Sequence, residues 1–198
     1  TFQAGQYYEG DGEDLMMAGN IGLPLGDSGF VNISVEATSA QGTNRGKQWE
    51  SEQSSFDVDD YVTANPELAY LFGSGSDFDM SNVQLWGQPE TEAFRSFVNA
   101  GYTLKSGVEL YAFANYSNSK AEGDFNYRFP TNSLNSAYIR DPDGALFKFQ
   151  QIFPAGFTPR FGGNVVDYSI TGGVKGEFSD VFTYDFSGRY GRDTIYYT

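Results

Sequence analysis

The chain has 198 residues, of which 12 are basic and 26 acidic, and it contains neither histidine nor cysteine. These absences exclude histidine-dependent nucleophilic catalysis, disulfide bonds and zinc sites built from thiolates. The formal net charge of −14 argues against nucleic acid as a partner, and 17% aromatic residues argue against a disordered chain.

Apolar and polar residues alternate along much of the chain, and this two-residue period is that of a β-strand with two different faces. In the segment that begins at Phe182, for example, Phe182, Tyr184 and Phe186 share one face, whereas the residues between them are polar. The alternation predicts seven strands, near residues 1–9, 14–24, 30–39, 92–104, 108–118, 165–178 and 182–193.

The fifth of these strands allows two phases. One face carries alternate residues from Leu110 to Tyr116, whereas the other carries Tyr111 and Phe113. We assign the first as the apolar face, because the second also holds acidic, amide and hydroxyl side chains.

The connections between the strands alternate in length. Three are tight and rich in turn-forming Gly, Pro, Asp or Ser, at 24–29, 105–107 and 179–181, and two are very long, at 40–91 and 119–164. Short periplasmic turns alternating with long extracellular loops are typical of up-and-down transmembrane barrels. The sequence therefore predicts an all-β, antiparallel, up-and-down transmembrane β-barrel segment in the cell outer membrane, surrounded by outer-membrane lipid.

The first long loop is acidic, since no Lys or Arg and ten Asp or Glu residues lie between Gln48 and Phe94. A cation site built from Asp57, Asp59 and Asp60, or from Asp77 and Asp79, is one interpretation, but the spacing is not that of an EF-hand. We favour a solvated, negatively charged surface. Asn65, followed by proline, predicts a capped short helix in the same loop.

The second long loop mixes basic with aromatic side chains, which could hold an anionic, sugar-like or ring-bearing ligand by bidentate hydrogen bonds and stacking. The alternative, which we favour for any single residue, is that the rings pack the loop and the arginines pair with the acidic loop. The candidate ligand-binding residues are Arg128, Tyr138, Arg140, Phe147 and Arg160, together with Trp86 of the first loop.

Two segments of the chain resemble the barrel strands of TonB-dependent outer-membrane receptors of sphingomonad-like Gram-negative bacteria. They are VQLWGQPETEAFRSFVNAGYTLKSGVELYAFANYSNSKAEGDFNYRFP (83–130) and GFTPRFGGNVVDYSITGGVKGEFSDVFTYDFSGRYGRD (156–193). The resemblance implies a barrel of about 22 strands with a plug domain, which imports a scarce nutrient with energy from the inner-membrane TonB complex. The ligand would be a siderophore, a vitamin or a carbohydrate-type compound.

The plug domain has no counterpart in this sequence, so we expect the chain to supply about seven strands of such a barrel. Its polar face would line the lumen and contact the plug and the passing nutrient, through residues that include Arg95, Asn99, Lys175 and Arg189. The plainer role, which we favour for each of these residues, is a hydrogen bond or ion pair to the plug or to a barrel neighbour. A passive porin or a structural barrel remains the alternative function, and we expect no enzyme activity, catalytic residue, metal or cofactor.

Overall fold

Seven strands run in chain order through the computed structural model, which describes residues 1–46, 56–72, 86–131 and 138–198. Within these residues the strands form one sheet in the order β1-β2-β3-β4-β5-β6-β7, and the all-β prediction is confirmed. The strands are β1 (Phe2–Gly5), β2 (Asp14–Leu25), β3 (Gly29–Ala40), β4 (Glu90–Thr103), β5 (Glu109–Asp124), β6 (Arg160–Ser179) and β7 (Phe182–Tyr197).

The strand bounds differ from the predicted ones mainly at the first strand and around the second long connection. β1 covers four residues rather than nine, because the chain turns after it: the backbone N–H of Gly10 donates to Tyr7 O at 3.0 Å. β5 and β6 extend into the connection that was expected to span 119–164. A β-bulge interrupts the pairing of β6 with β7 between Glu177 and Ser179.

The strand register places apolar residues opposite one another. Ile33 on β3 lies opposite Ile21 on β2 and Val98 on β4, and Val98 lies opposite Ala114 on β5. The assigned phase of β5 is therefore confirmed, since Ala114 shares the apolar face of its neighbours. A one-residue slip would transfer every side chain of a strand to the other face, so this register separates an apolar from a polar face.

The apolar face of the sheet is open rather than packed against a second layer. Met17 is 63% exposed, Ile170 54% and Phe186 70%. The large apolar side chains of this face therefore have no protein cover in the described part of the chain.

The chain divides into two compact units. The sheet unit comprises Thr1–Gly42, Pro89–Glu122 and Gly162–Thr198, and the loop unit comprises Thr43–Gln88 and Gly123–Phe161. The apolar side chains classed as buried among the described residues all belong to the loop unit: Phe56, Tyr61, Tyr127 and Ala155.

The loop unit contains one short α-helix, α1 (Val58–Ala64), and two 3-10 helices, Pro66–Leu71 and Phe149–Gln151, among its described residues. The short helix predicted after Asn65 is confirmed as the 3-10 helix Pro66–Leu71, with Asn65 at its N-cap position, but the Asn65 side chain makes no cap hydrogen bond to it. Its Nδ2 instead donates to Tyr61 O at 2.8 Å. Asn65 therefore closes the C-terminus of α1, a helix that the sequence pattern did not reveal.

No helix in the described ranges combines the length and the apolar character needed to cross a bilayer.

Candidate functional site

The polar face of the sheet carries charged, amide and hydroxyl side chains, which are groups that can contact a ligand. Glu36 on β3 lies opposite Arg95 on β4. Further along the strand order, on the same face, Lys175 on β6 lies opposite Asp185 on β7. Hydrogen bonds from β5 to β6 and β7 connect these two regions on one face. The polar side chains of this face include Asn20, Asn32, Ser34, Glu36, Arg95, Asn99, Asn115, Asp167, Ser169, Lys175, Asp185 and Arg189.

The structure places all four residues predicted to line a lumen on this polar face. Two of them form ion pairs: Arg95 Nη1 lies 2.7 Å from Glu36 Oε1, and Lys175 Nζ lies 3.0 Å from Glu109 Oε1. Both pairs are partly exposed, so each contributes at most about 1 kcal/mol to stability. Their main effect is to cancel charge locally.

Amide and hydroxyl groups form a hydrogen-bond network at the centre of the polar face. Asn115 Nδ2 donates to Asp167 Oδ1 at 2.7 Å, and the Ser169 hydroxyl donates to Asn115 Oδ1. Arg189 Nη2 donates to Ser169 Oγ at 3.3 Å. The network therefore joins β5, β6 and β7, and Arg189 contacts a neighbouring hydroxyl as the plainer interpretation expected.

A second amide cluster lies on β2 and β3. Asn20 Nδ2 donates to Asn32 Oδ1 at 2.7 Å and to Ser34 Oγ at 2.8 Å. Unlike these partnered groups, the side-chain oxygen of Asn99 on β4 is buried and has no hydrogen-bond partner within the described part of the chain.

Aromatic rings also lie on this polar surface, and we call three that lie side by side the aromatic row: Phe97, Phe113 and Tyr111. Phe30 lies on the same face, opposite Gly101. The ring centroids of Phe97 and Phe113 are 6.4 Å apart, and those of Phe113 and Tyr111 are 6.5 Å apart with planes only 9° from parallel. The sequence showed two of these rings on the polar face of β5, but their alignment with Phe97 depends on the strand register.

Tyr111 reaches across β6 to β7. Its hydroxyl donates to Asp185 Oδ1 at 2.7 Å, and its ring lies over Gly173, where a side chain would collide with it. Lys175 Nζ lies 5.8 Å from the centroid of the same ring. Glycine at position 173 therefore makes room for one end of the aromatic row.

A concave region of about 570 Å³ lies on the sheet unit and extends along the polar face to the first ring of the aromatic row. Its lining includes Asn20, Ser34, Glu36, Arg95, Phe97 and Asn115. A volume of this size is typical of sites for small ligands.

The candidate ligand-binding residues of the loop unit are distributed over several local contacts. The guanidinium carbon of Arg128 lies 6.0 Å from the ring centroid of Phe125, and Arg160 Nε lies 3.9 Å from Asp124 Oδ1. Phe147 packs edge-on against Phe149 with centroids 5.4 Å apart.

The other three candidates lie at exposed positions or in a turn. Arg140 pairs with Leu146 in a short hairpin, and the preceding Tyr138 is 96% exposed. Trp86 is 58% exposed, and its backbone oxygen accepts a hydrogen bond from the Arg45 N–H.

Tyrosine side chains of the loop unit are part of its packing. The Tyr127 hydroxyl donates to Ala155 O at 2.6 Å, and the Tyr61 hydroxyl donates to Pro154 O at 3.0 Å. Burial raises the pKa of the Tyr127 phenol. Burial also raises the pKa of Tyr61, and the negative charge of nearby Glu67 raises it further. Both phenols therefore remain neutral hydrogen-bond donors at physiological pH.

One of the acidic residues that we considered for a cation site, Asp57, caps a helix instead. Asp57 is the N-cap of α1, and its Oδ1 accepts a hydrogen bond from the Asp60 N–H at 3.0 Å. Among the described residues, no group of three metal-binding side chains could hold an ion. The acidic residues at positions 50, 52, 77 and 79 lie outside the described ranges.

Comparison of the chain with protein-family models, with curated proteins and with solved structures finds no match.

Proposed function

We propose that this chain forms part of the barrel wall of a TonB-dependent outer-membrane receptor that takes up a scarce nutrient. The observation that carries the proposal is a sheet of seven strands in chain order, with one exposed apolar face and one polar face. In a transmembrane barrel, the first face contacts lipid and the second lines the lumen.

The exposed apolar side chains support a lipid environment. Large contiguous apolar surfaces are rare on soluble monomers, and lipid would cover Met17, Ile170 and Phe186 without a second protein layer. The strands β2 to β7 have 12 to 20 residues, more than the 9 to 11 that a tilted strand needs to cross the hydrocarbon region.

The proposal also requires further strands. The sheet is not closed within the described residues, since β1 and β7 lie at opposite edges of the strand order. The hydrocarbon region does not tolerate unpaired backbone groups, so a membrane wall must continue beside both edges. The resemblance to TonB-dependent receptors implies the remaining strands, a plug domain facing the polar side, and energy from the inner-membrane TonB complex.

A pair of lysine substitutions on neighbouring residues of β7 tests the membrane environment. Phe186 belongs to the apolar face and Ser187 to the polar face, and both are exposed. A lysine facing lipid near the bilayer midplane costs about 2–4 kcal/mol, whereas one facing a watery lumen costs little. We expect Phe186→Lys to reduce the folded, membrane-inserted fraction by more than Ser187→Lys, which replaces a hydroxyl in contact with Tyr111.

The measurement uses the complete protein that contains this chain, fractionated from cells and examined by the heat-dependent shift of barrel proteins on gels. Recovery in the aqueous fraction without detergent, or equal tolerance of both lysines, would contradict the membrane proposal. Uptake of the nutrient that stops when TonB is deleted supports a receptor. Uptake that continues without TonB supports the alternative, a passive porin or structural barrel.

A further inference from the structure

We propose that the aromatic row binds the sugar rings of a neutral oligosaccharide on the polar face of the sheet. This inference rests on the proposed function, because it names the class of nutrient that the receptor would carry. Phe97, Phe113 and Tyr111 would supply the ring surfaces, and the surrounding amide and hydroxyl groups would supply hydrogen bonds.

The spacing of the rings leaves their faces available. Centroid separations of 6.4 and 6.5 Å are near the upper end of the range for offset aromatic pairs, so the rings cover one another only in part. Phe97 remains 42% exposed and Phe113 39% exposed, although polar residues surround them. A partner with a flat apolar side would remove these rings from water.

The charges beside the aromatic row favour an uncharged partner. Arg95 is paired with Glu36, and Lys175 is paired with Glu109. A strongly anionic or cationic ligand would have to separate these pairs, whereas a neutral ligand leaves them in place. These two pairs therefore offer little net charge to acidic chelates and phosphates, and the carboxylates of Asp167 and Asp185 on the same face offset Arg189, the remaining cation among the described residues of that face.

The uncharged polar groups provide donors and acceptors suited to hydroxyls. Asn99 lies directly opposite Phe113 in the strand register, and its side-chain oxygen lacks a partner within the described residues. A buried acceptor without a partner costs free energy, which a turn of the amide toward a ligand hydroxyl would recover. Asn20 and Ser34 line the concave region that extends along the same face to Phe97.

A pyranose ring combines the two properties that this surface requires. It presents C–H groups on a flat side, which can lie on an aromatic face, and hydroxyls around its rim, which act as donors and acceptors for amide groups. Successive rings of an oligosaccharide could occupy successive members of the aromatic row. A protein segment covering the polar face is the competing occupant.

The test measures binding of maltohexaose and cellohexaose to the complete protein by isothermal titration calorimetry, with oligogalacturonate as an acidic comparison. A detergent without a sugar headgroup is used, because an alkyl glycoside would compete. Phe97→Ala is compared with Phe94→Ala, a matched control on the same strand. Phe94 lies on the apolar face, is 45% exposed, and has one aromatic neighbour, Tyr116, at 6.3 Å.

We expect one of the neutral sugars to bind to the unaltered protein. Phe97→Ala should weaken this binding about tenfold, which corresponds to about 1.4 kcal/mol. Phe94→Ala should bind the sugar as the unaltered protein does. Phe113→Ala should resemble Phe97→Ala, and Phe113→Trp should retain binding because it keeps a ring. The heat-dependent gel shift establishes that each variant is folded.

Three results would overturn the proposal: no binding of either neutral sugar, tighter binding of the acidic one, or equal effects of the substitutions at positions 97 and 94. A benzophenone amino acid at position 113 that crosslinks to another protein segment, with no protection by sugar, would identify that segment as the occupant instead. Each of these results leaves the membrane proposal intact if the protein still fractionates as a barrel, so the two failures can be distinguished.

Discussion

Replacing Gly156 with alanine tests the packing of the loop unit, because this glycine combines a left-handed backbone with a close contact. Its φ is +75°, and a Cβ there would collide with the Arg128 carbonyl oxygen and would lie 2.7 Å from the Tyr127 hydroxyl oxygen and 2.9 Å from Cε2 of the same ring. Tyr127 is only 6% exposed and donates to Ala155 O. The ring therefore cannot move without losing burial and a hydrogen bond.

Gly144 offers a matched control in the same unit. Its φ is +86°, but a Cβ added there meets nothing within 4 Å. Both alanine variants incur the left-handed backbone cost of about 1–2 kcal/mol. Only Gly156→Ala adds the cost of crowding the Arg128 carbonyl and Tyr127, about 1–3 kcal/mol, and of weakening the Tyr127 hydrogen bond, about 1 kcal/mol. We expect Gly156→Ala to destabilise the unit by about 2–4 kcal/mol more than Gly144→Ala.

Hydrogen exchange of two backbone amides in the complete protein measures this difference. Arg128 and Phe157 exchange two backbone hydrogen bonds, with N···O distances of 2.8 and 2.9 Å, so their amides report the opening of the loop unit. A difference of about 2–4 kcal/mol corresponds to about 30- to 800-fold faster exchange in Gly156→Ala than in Gly144→Ala. Equal exchange in the two variants would mean that position 156 packs against neither the Arg128 carbonyl nor Tyr127.

Two further predictions concern other packing features. Gly173→Ala should lower the unfolding temperature of the complete protein, because the new methyl group displaces the ring of Tyr111, which crosses β6. Gly172→Ala should not, since its Cβ meets only a backbone oxygen at 3.9 Å. Similar shifts in the two variants would contradict the position of the Tyr111 ring. Burial raises the pKa of the Tyr127 phenol, so the folded state favours the neutral phenol more than the unfolded state does. The stability that the buried Tyr127 contributes is therefore complete below about pH 10, the pKa of an unfolded tyrosine, and is lost as the pH rises toward the folded pKa. Tyr127→Phe should therefore reduce the alkaline loss of stability in thermal unfolding monitored by near-ultraviolet circular dichroism, and an unchanged alkaline profile would refute this.

The strands and their two faces could be predicted because the information is local. Alternation along β7 depends only on Phe182 and the residues that follow it, and each side chain takes its face from the two-residue period of the backbone. The phase of β5 was less secure, because aromatic residues occupy both faces. Its register with β4, in which Ala114 lies opposite Val98, removes that ambiguity.

The loop unit was harder to predict because its contacts join distant segments. Phe56 stacks on Phe129 with centroids 5.6 Å apart, and the Tyr61 hydroxyl donates to Pro154 O, 93 positions away. Nothing in the local pattern of either loop indicates such a partner. Aromatic residues in the second loop suggested either ligand binding or packing, and for Tyr127 the described contacts are packing contacts.

The sequence by itself determined that the chain forms strands with one apolar and one polar face, because both properties follow from neighbouring residues and backbone geometry. Only the tertiary structure decided which polar and aromatic side chains meet across strands. Phe97 and Phe113 are 16 positions apart in the sequence, and their rings become neighbours through the register of β4 with β5. Register depends on the pairing of whole strands and on the turns between them, so it cannot be read from either strand alone.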